Sequence, residues 1–251
     1  MRSTLLLALV ILAPVPARAQ LSPFQAAKAE ALLRTKLPCL GCHALDGTGG
    51  RVGPDLSGVG ARRSAAYIRG MVVDPAATVP GTIMPRVPLD SATRALIVAY
   101  LGGRTRPVGG GGAAAAAATP PPPRAPPRAP PVGGAPRPAV ALYGAYCAPC
   151  HGETGRGDGY NARYLPVPPA VHADARAMGT RSDDMLFDAI AAGGYTLGRS
   201  VRMPPFGETL RPAEIRSLVG YIRRLCGCRG PTWSRPVSAG RGGRGDGEGR
   251  P

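Results

Sequence analysis

The chain has 251 residues, and 31 Lys and Arg against 15 Asp and Glu give it a formal net charge of +16 at pH 7. Its 36 glycines and 30 prolines exceed a quarter of the sequence, so part of the chain builds no core. Three Phe and one Trp exclude a large single-core enzyme, and any folded unit must be small or draw its apolar mass from aliphatic side chains.

Residues 1–19 have the pattern of a signal peptide: Arg2, an apolar run from Leu5 to Ala13, and Ala17-Arg18-Ala19 before Gln20. The apolar run is far short of the roughly 20 residues of a spanning helix, so export with cleavage is expected rather than a membrane anchor. No later segment reaches spanning length, which places the mature chain in the periplasm or at an extracytoplasmic face.

The first block, residues 20–101, opens on Ser22-Pro23-Phe24-Gln25, an N-cap serine, a proline at the first helical position and a capping-box glutamine. These residues predict a helix from Pro23 to about Thr35. After Cys39-Leu-Gly-Cys42-His43 and a Gly- and Pro-containing loop, a middle helix is expected from Ser64 to Met71. A last helix follows the N-cap Asp90, buries Leu96, Ile97, Tyr100 and Leu101, and stops at Gly102-Gly103.

Residues 102–138 hold four consecutive glycines, six alanines and a proline-rich run, the composition of a linker. At about 3.1 Å per residue in its extended form, such a linker reaches on the order of 100 Å, so its length does not require the two blocks to touch. The second block, residues 139–228, carries Cys147-Ala-Pro-Cys150-His151, a middle helix from Ser182 to Ala192, and a last helix opened by Pro212. In that helix Ile215, Leu218, Val219, Ile222 and Leu225 make one apolar stripe. Residues 229–251 read as a disordered Arg- and Gly-rich tail. No segment alternates convincingly at period two, so the fold class expected is all-α, two small helical domains joined by a long linker.

The two blocks repeat one plan: a short helix, Cys-x-x-Cys-His, a Gly/Pro loop, a middle helix, a Met-Pro pair and a final amphipathic helix. On a helical turn, residues i and i+3 share a face and i+4 lies beside them. That spacing lets two thiols add to vinyl groups on adjacent pyrroles while the imidazole reaches the iron between them, and it reads as c-type haem attachment. Cys39, Cys42 and His43 are assigned to one haem, Cys147, Cys150 and His151 to a second. A zinc knuckle would need further ligand pairs, and only three histidines and two spare cysteines, Cys226 and Cys228, exist. A thioredoxin-like pair would need a βαβ unit, for which there is no pattern.

Met84 and Met203 each precede a proline in the loop before a last helix, where the thioether is free of helix geometry to turn inward as a sixth iron ligand. Met71, Met178 and Met185 fall in or beside middle helices and read as packing residues. His172, in a loop, is expected to be exposed, with replacement of Met203 as its alternative role. Cys226-Gly-Cys228 is expected to pair with another chain or to form an oxidised surface pair, with a metal site as the remaining option.

On these motifs each block resembles a class I cytochrome c domain, and the pair resembles the tandem di-haem cytochromes c. The resemblance rests on Gly53-Pro54-Asp55-Leu56 in block one, and on the Gly-rich segment after His151 and Leu165-Pro-Val-Pro-Pro169 in block two. It implies that the carbonyl of Pro54 accepts a hydrogen bond from His43 and that of Pro169, or else Pro168, one from His151. It also places Tyr100 and Tyr221 on the last helices against the first, and says nothing of linker or tail.

The implied function is that of an electron carrier with two haem c groups, each iron held by His and Met, passing single electrons from a reductase or dehydrogenase to a terminal acceptor. A haem enzyme such as a di-haem peroxidase would keep one iron open, against which a Met-Pro pair in both blocks argues. A cytochrome subunit of a larger dehydrogenase is the third reading. More than half of the mature chain's excess positive charge falls on linker and tail. Acidic redox proteins and peripheral contact with anionic lipid headgroups are therefore the expected partners, and nucleic acid is not, given export.

Overall fold

The computed structural model describes residues 21–105, 135–195 and 198–234. The expected signal peptide, residues 106–134 of the expected linker and residues 235–251 of the expected tail lie outside the described residues. What is described is mostly helical, and no helix among the described residues is long and apolar enough to cross a membrane.

Helix α1 (Pro23–Thr35) starts as its capping box requires: the Gln25 amide donates to Ser22 Oγ at 3.2 Å, and the Ser22 amide donates to Gln25 Oε1 at 2.9 Å. A 3-10 turn (Pro38–Gly41) carries Cys39 into the site. There follow strands β1 (Ala44–Leu45) and β2 (Thr48–Gly49), which pair antiparallel as a two-residue hairpin, and the short helices α2 (Val59–Arg62), α3 (Ala65–Val73) and α4 (Pro75–Thr78). The hairpin is the one departure from an all-helical block one among the described residues; Asp46, at a left-handed φ of 51°, and Gly47 turn it. Helix α5 (Ser91–Gly103), capped by Asp90, buries Ile97, Val98, Tyr100 and Leu101, while Leu96 is only partly covered.

In the second half, α6 (Ala139–Leu142), a π turn (Tyr143–Cys147) and α7 (Ala148–His151) form one helical run, which widens where Tyr143 enters the core. Helices α8 (Ala175–Gly179) and α9 (Asp183–Ala192) precede α10 (Pro212–Cys226), whose buried face is Ile215, Leu218, Val219, Ile222 and Cys226. Gly227 ends α10 at a left-handed φ of 57°, turning Cys228 back onto Cys226, and the two form a disulfide within the chain. Pairing of Cys226 or Cys228 with another chain is thereby replaced by a local bridge whose first member is buried.

The apolar side chains segregate into two clusters, one drawn wholly from residues 29–101 and one wholly from residues 142–226. Tyr100 meets α1 through Glu30 (Oη to Oε2, 3.4 Å), and the Tyr221 ring meets Tyr143 of the first helical run at 4.9 Å. Packed structure runs slightly past the expected boundaries. Helix α5 continues through Gly103, with the Arg104 guanidinium bonded to the Ser57 carbonyl and Tyr100 hydroxyl. Before α6, Arg137 pairs with the buried Glu214 of α10 at 3.1 Å.

The halves also touch. Asn161, fully buried, donates from Nδ2 to the Gly41 carbonyl at 2.9 Å, and its Oδ1 accepts from the Arg51 amide at 2.6 Å. Arg202 donates to the carbonyls of Leu33 and Arg34, two of the backbone acceptors left open at the C-terminal end of α1.

Candidate haem c site

Both Cys-x-x-Cys-His segments wind as single turns. The His43 amide donates to the Cys39 carbonyl at 3.0 Å, and α7 places Cys150 and His151 one turn beyond Cys147. Cys39, Cys42, Cys147 and Cys150 are all free thiols. Burial pushes the Cys39 thiol up to about 11, and burial with the neighbouring cysteines pushes Cys42 and Cys147 up to about 12. Cys150 is also raised by burial, although Asn161 Nδ2, 3.2 Å from its sulfur, opposes the shift. Thiols held protonated in this way are poor nucleophiles at neutral pH, which disfavours a dithiol redox centre.

The imidazoles of His43 and His151 are each oriented by a backbone carbonyl. His43 Nδ1 donates to Pro54 O at 2.8 Å, and His151 Nδ1 donates to Ala170 O at 2.8 Å. Because a carbonyl only accepts, Nδ1 of each ring carries the proton. Burial lowers the pKa of both rings, so the imidazoles are neutral and the Nε2 lone pair is left for a metal. Pro54 stands where the resemblance puts it. In block two the acceptor is Ala170, and not Pro169 or Pro168; the Pro169 carbonyl oxygen instead lies against Gly157, 3.2 Å from where a Cβ would stand.

Gly53 shapes the first ring's seat: a Cβ at this position would lie 2.4 Å from His43 Cε1. Gly41 makes the comparable approach between the halves, its missing Cβ falling 2.0 Å from the Arg202 carbonyl oxygen.

A cavity of about 1030 Å³ joins the two sets of residues. Cys39, Cys42 and His43 line it from one half, Cys147, Cys150 and His151 from the other. Its walls are largely aliphatic, among them Leu33, Ile68, Ile97, Leu186, Ile190 and Leu218. Met84 and Met203, in the loops before α5 and α10, both reach it. So do Met71 and Met185, whereas Met178 is fully buried in the second core.

His172 departs from expectation. It is buried, not exposed, because the Ala173 amide donates to the Gly155 carbonyl at 2.9 Å and draws the loop inward. Its ring lies 4.0 Å from that of His151 at 11°, with Nδ1 at 2.9 Å from Tyr143 Oη. Burial and the His151 beside it push its pKa down to about 2, so it too is neutral. Asn161 and Glu214 are the scaffold residues that sequence reasoning missed, and His172 is the residue whose burial it did not foresee.

The residues present fit a haem. Among the described residues no three His, Cys, Asp or Glu side chains converge as a metal cluster. The cavity offers His43 with Met71 and Met84 from the first half, and His151 and His172 with Met185 and Met203 from the second; such donors suit an iron whose remaining ligands come from a macrocycle, and the apolar walls with thiols on them suit that macrocycle.

Residues 134–222 match the family model for cytochrome C oxidase, cbb3-type, subunit III. The matched segment includes Cys147, Cys150, His151 and Met203 and supports a cytochrome c, in which a haem c is bound covalently. A cytochrome c domain of this type is generally an electron carrier with redox-protein partners, and is typically extracytoplasmic. No curated protein and no solved structure matches the chain.

Proposed function

We propose that this chain is an exported di-haem c-type cytochrome, with a cytochrome c domain in each half, that carries single electrons between redox proteins. The observation that carries the reading is the duplicated device: in each half a Cys-x-x-Cys-His turn whose histidine donates from Nδ1 to a carbonyl at 2.8 Å, facing a common cavity that also takes Met84 and Met203.

A haem bound there supplies a one-electron iron couple. Cys39 with Cys42, and Cys147 with Cys150, would tether the two haems. Pro54 and Ala170 fix the tautomer of His43 and His151, so that each ring presents Nε2. Met84 and Met203 would close the sixth positions with neutral sulfur, which favours the reduced iron and raises the potential. The aliphatic walls exclude water and lower the local dielectric, acting in the same direction. Asn161, which bonds the Gly41 carbonyl and the Cys150 sulfur, holds the two Cys-x-x-Cys turns together.

The basic linker and tail favour acidic redox proteins and anionic membrane surfaces as partners, at a periplasmic or extracytoplasmic location. The family description of residues 134–222 favours a second reading, a cytochrome subunit of an oxidase complex. Spectroelectrochemical titration of the holoprotein tests the proposal: two reversible one-electron steps without peroxide turnover support a carrier, and one step with peroxide turnover supports a haem enzyme.

A further inference from the structure

The two halves differ at one position beside the proximal ligand. In the first, the carbonyl that accepts from His43 belongs to Pro54, and two residues later stands Leu56, buried and lining the cavity. In the second, the acceptor is Ala170, and two residues later stands His172, equally buried and lining the same cavity. An aliphatic side chain is thus exchanged for an aromatic ring that stacks on the ligand's own ring at 4.0 Å and 11°.

A hydrogen bond at Nδ1 fixes the tautomer of an imidazole but leaves it free to rock about the bond to that carbonyl. A ring stacked in parallel on its face removes this freedom. His172 can do this because it is itself held at both ends, by the Tyr143 hydroxyl at 2.9 Å and by the Ala173 amide bonded to Gly155. Tyr143 is in turn fully buried between α6 and α10 and is packed on Tyr221 at 4.9 Å. The chain Tyr221, Tyr143, His172, His151 runs from the last helix to the ligand without a gap.

We propose that His172 is a positioning residue for the second centre: stacked on His151 and anchored by Tyr143, it sets the plane of the proximal imidazole, and so makes the second haem electronically distinct from the first, where Leu56 leaves the ring unstacked. The inference rests on the reading of His151 as an iron ligand.

The test uses the full-length holoprotein, with electron paramagnetic resonance of the oxidised form and the two midpoint potentials as readouts. His172→Leu, which copies the first half, should shift the g values and the potential of one centre and leave the other at its wild-type values. His172→Phe keeps a ring and should restore the wild-type g values that the leucine variant loses. Tyr143→Phe retains both rings and their packing, removes the anchor, and should broaden the signal of the same centre. Unchanged g values and potential in His172→Leu would overturn the proposal, as would a phenylalanine variant that behaves like the leucine one. Should His172→Leu fail to accumulate, an unaltered signal in Tyr143→Phe overturns it. A wild-type chain with no haem at Cys147 and Cys150 would instead refute the reading of His151 on which the inference stands.

Discussion

Asn161 Nδ2 donates to the carbonyl of Gly41 at 2.9 Å, a contact between residues 120 positions apart that seats the second half against the first Cys-x-x-Cys turn. The same side chain accepts from the Arg51 amide, so its removal leaves a buried acceptor and a partly buried donor without this partner. Asn161→Ala should cost about 1–3 kcal/mol of stability. Hydrogen exchange at the Arg51 amide should accelerate in parallel, and unchanged protection of that amide would show that the halves are held elsewhere.

Gly53 lies against the ring of His43 with no room for a methyl group, the nearest ring atom being 2.4 Å from where a Cβ would be. Gly53→Ala should push the imidazole off the Pro54 carbonyl and disturb the first centre alone. The measurement is the pair of low-spin signals in the oxidised holoprotein: one should change and the other persist.

The Glu214 carboxylate is buried at the start of α10 between Arg137 and Arg211. Burial alone would raise its pKa, but hydrogen bonds from both arginines outweigh that and bring it from 4.5 down to about 2. A depressed carboxylate contributes stability that is fully present above 4.5 and is lost as the pH falls through about 2. The loss is roughly 3 kcal/mol across that window. Acid denaturation of Glu214→Gln should lack this component, and a wild-type slope in the variant would contradict the assignment.

Much of the helical layout was legible because it rests on local chemistry. The Ser22–Gln25 capping box, the Asp90 and Ser182 caps and the apolar stripe of α10 all act within a few residues of themselves. The Cys-x-x-Cys-His turns were legible for the same reason. The residues that were missed owe their roles to distant partners. Asn161 and Glu214 are ordinary polar residues until Gly41 and Arg137 arrive beside them. His172 reads as an exposed loop residue because the contacts that bury it, its own bond to Tyr143 and that of Ala173 to Gly155, come from distant parts of the chain. The hairpin at Ala44–Leu45 was too short to show a period.

Met84 and Met203 reach the cavity from separate loops, anchored by separate contacts: the Met84 amide on Thr82 Oγ1, and the Met203 carbonyl on the Gly194 amide. Met84→Ala and Met203→Ala should therefore each remove sulfur-to-iron charge-transfer absorption from one haem, and lower the potential of that haem. Loss of absorption from neither would move the ligand role to Met71 or Met185, which line the same cavity.

The central claim is that this chain holds two covalent haems, one on each Cys-x-x-Cys-His turn. It is tested most directly by a pyridine haemochrome spectrum, with the intact mass of the exported holoprotein. The account predicts two c-type haems per chain, falling to one in Cys39→Ser/Cys42→Ser and to one in Cys147→Ser/Cys150→Ser. A single haem in the wild type, lost only with the second pair, would contradict it and confine the cytochrome to the second half.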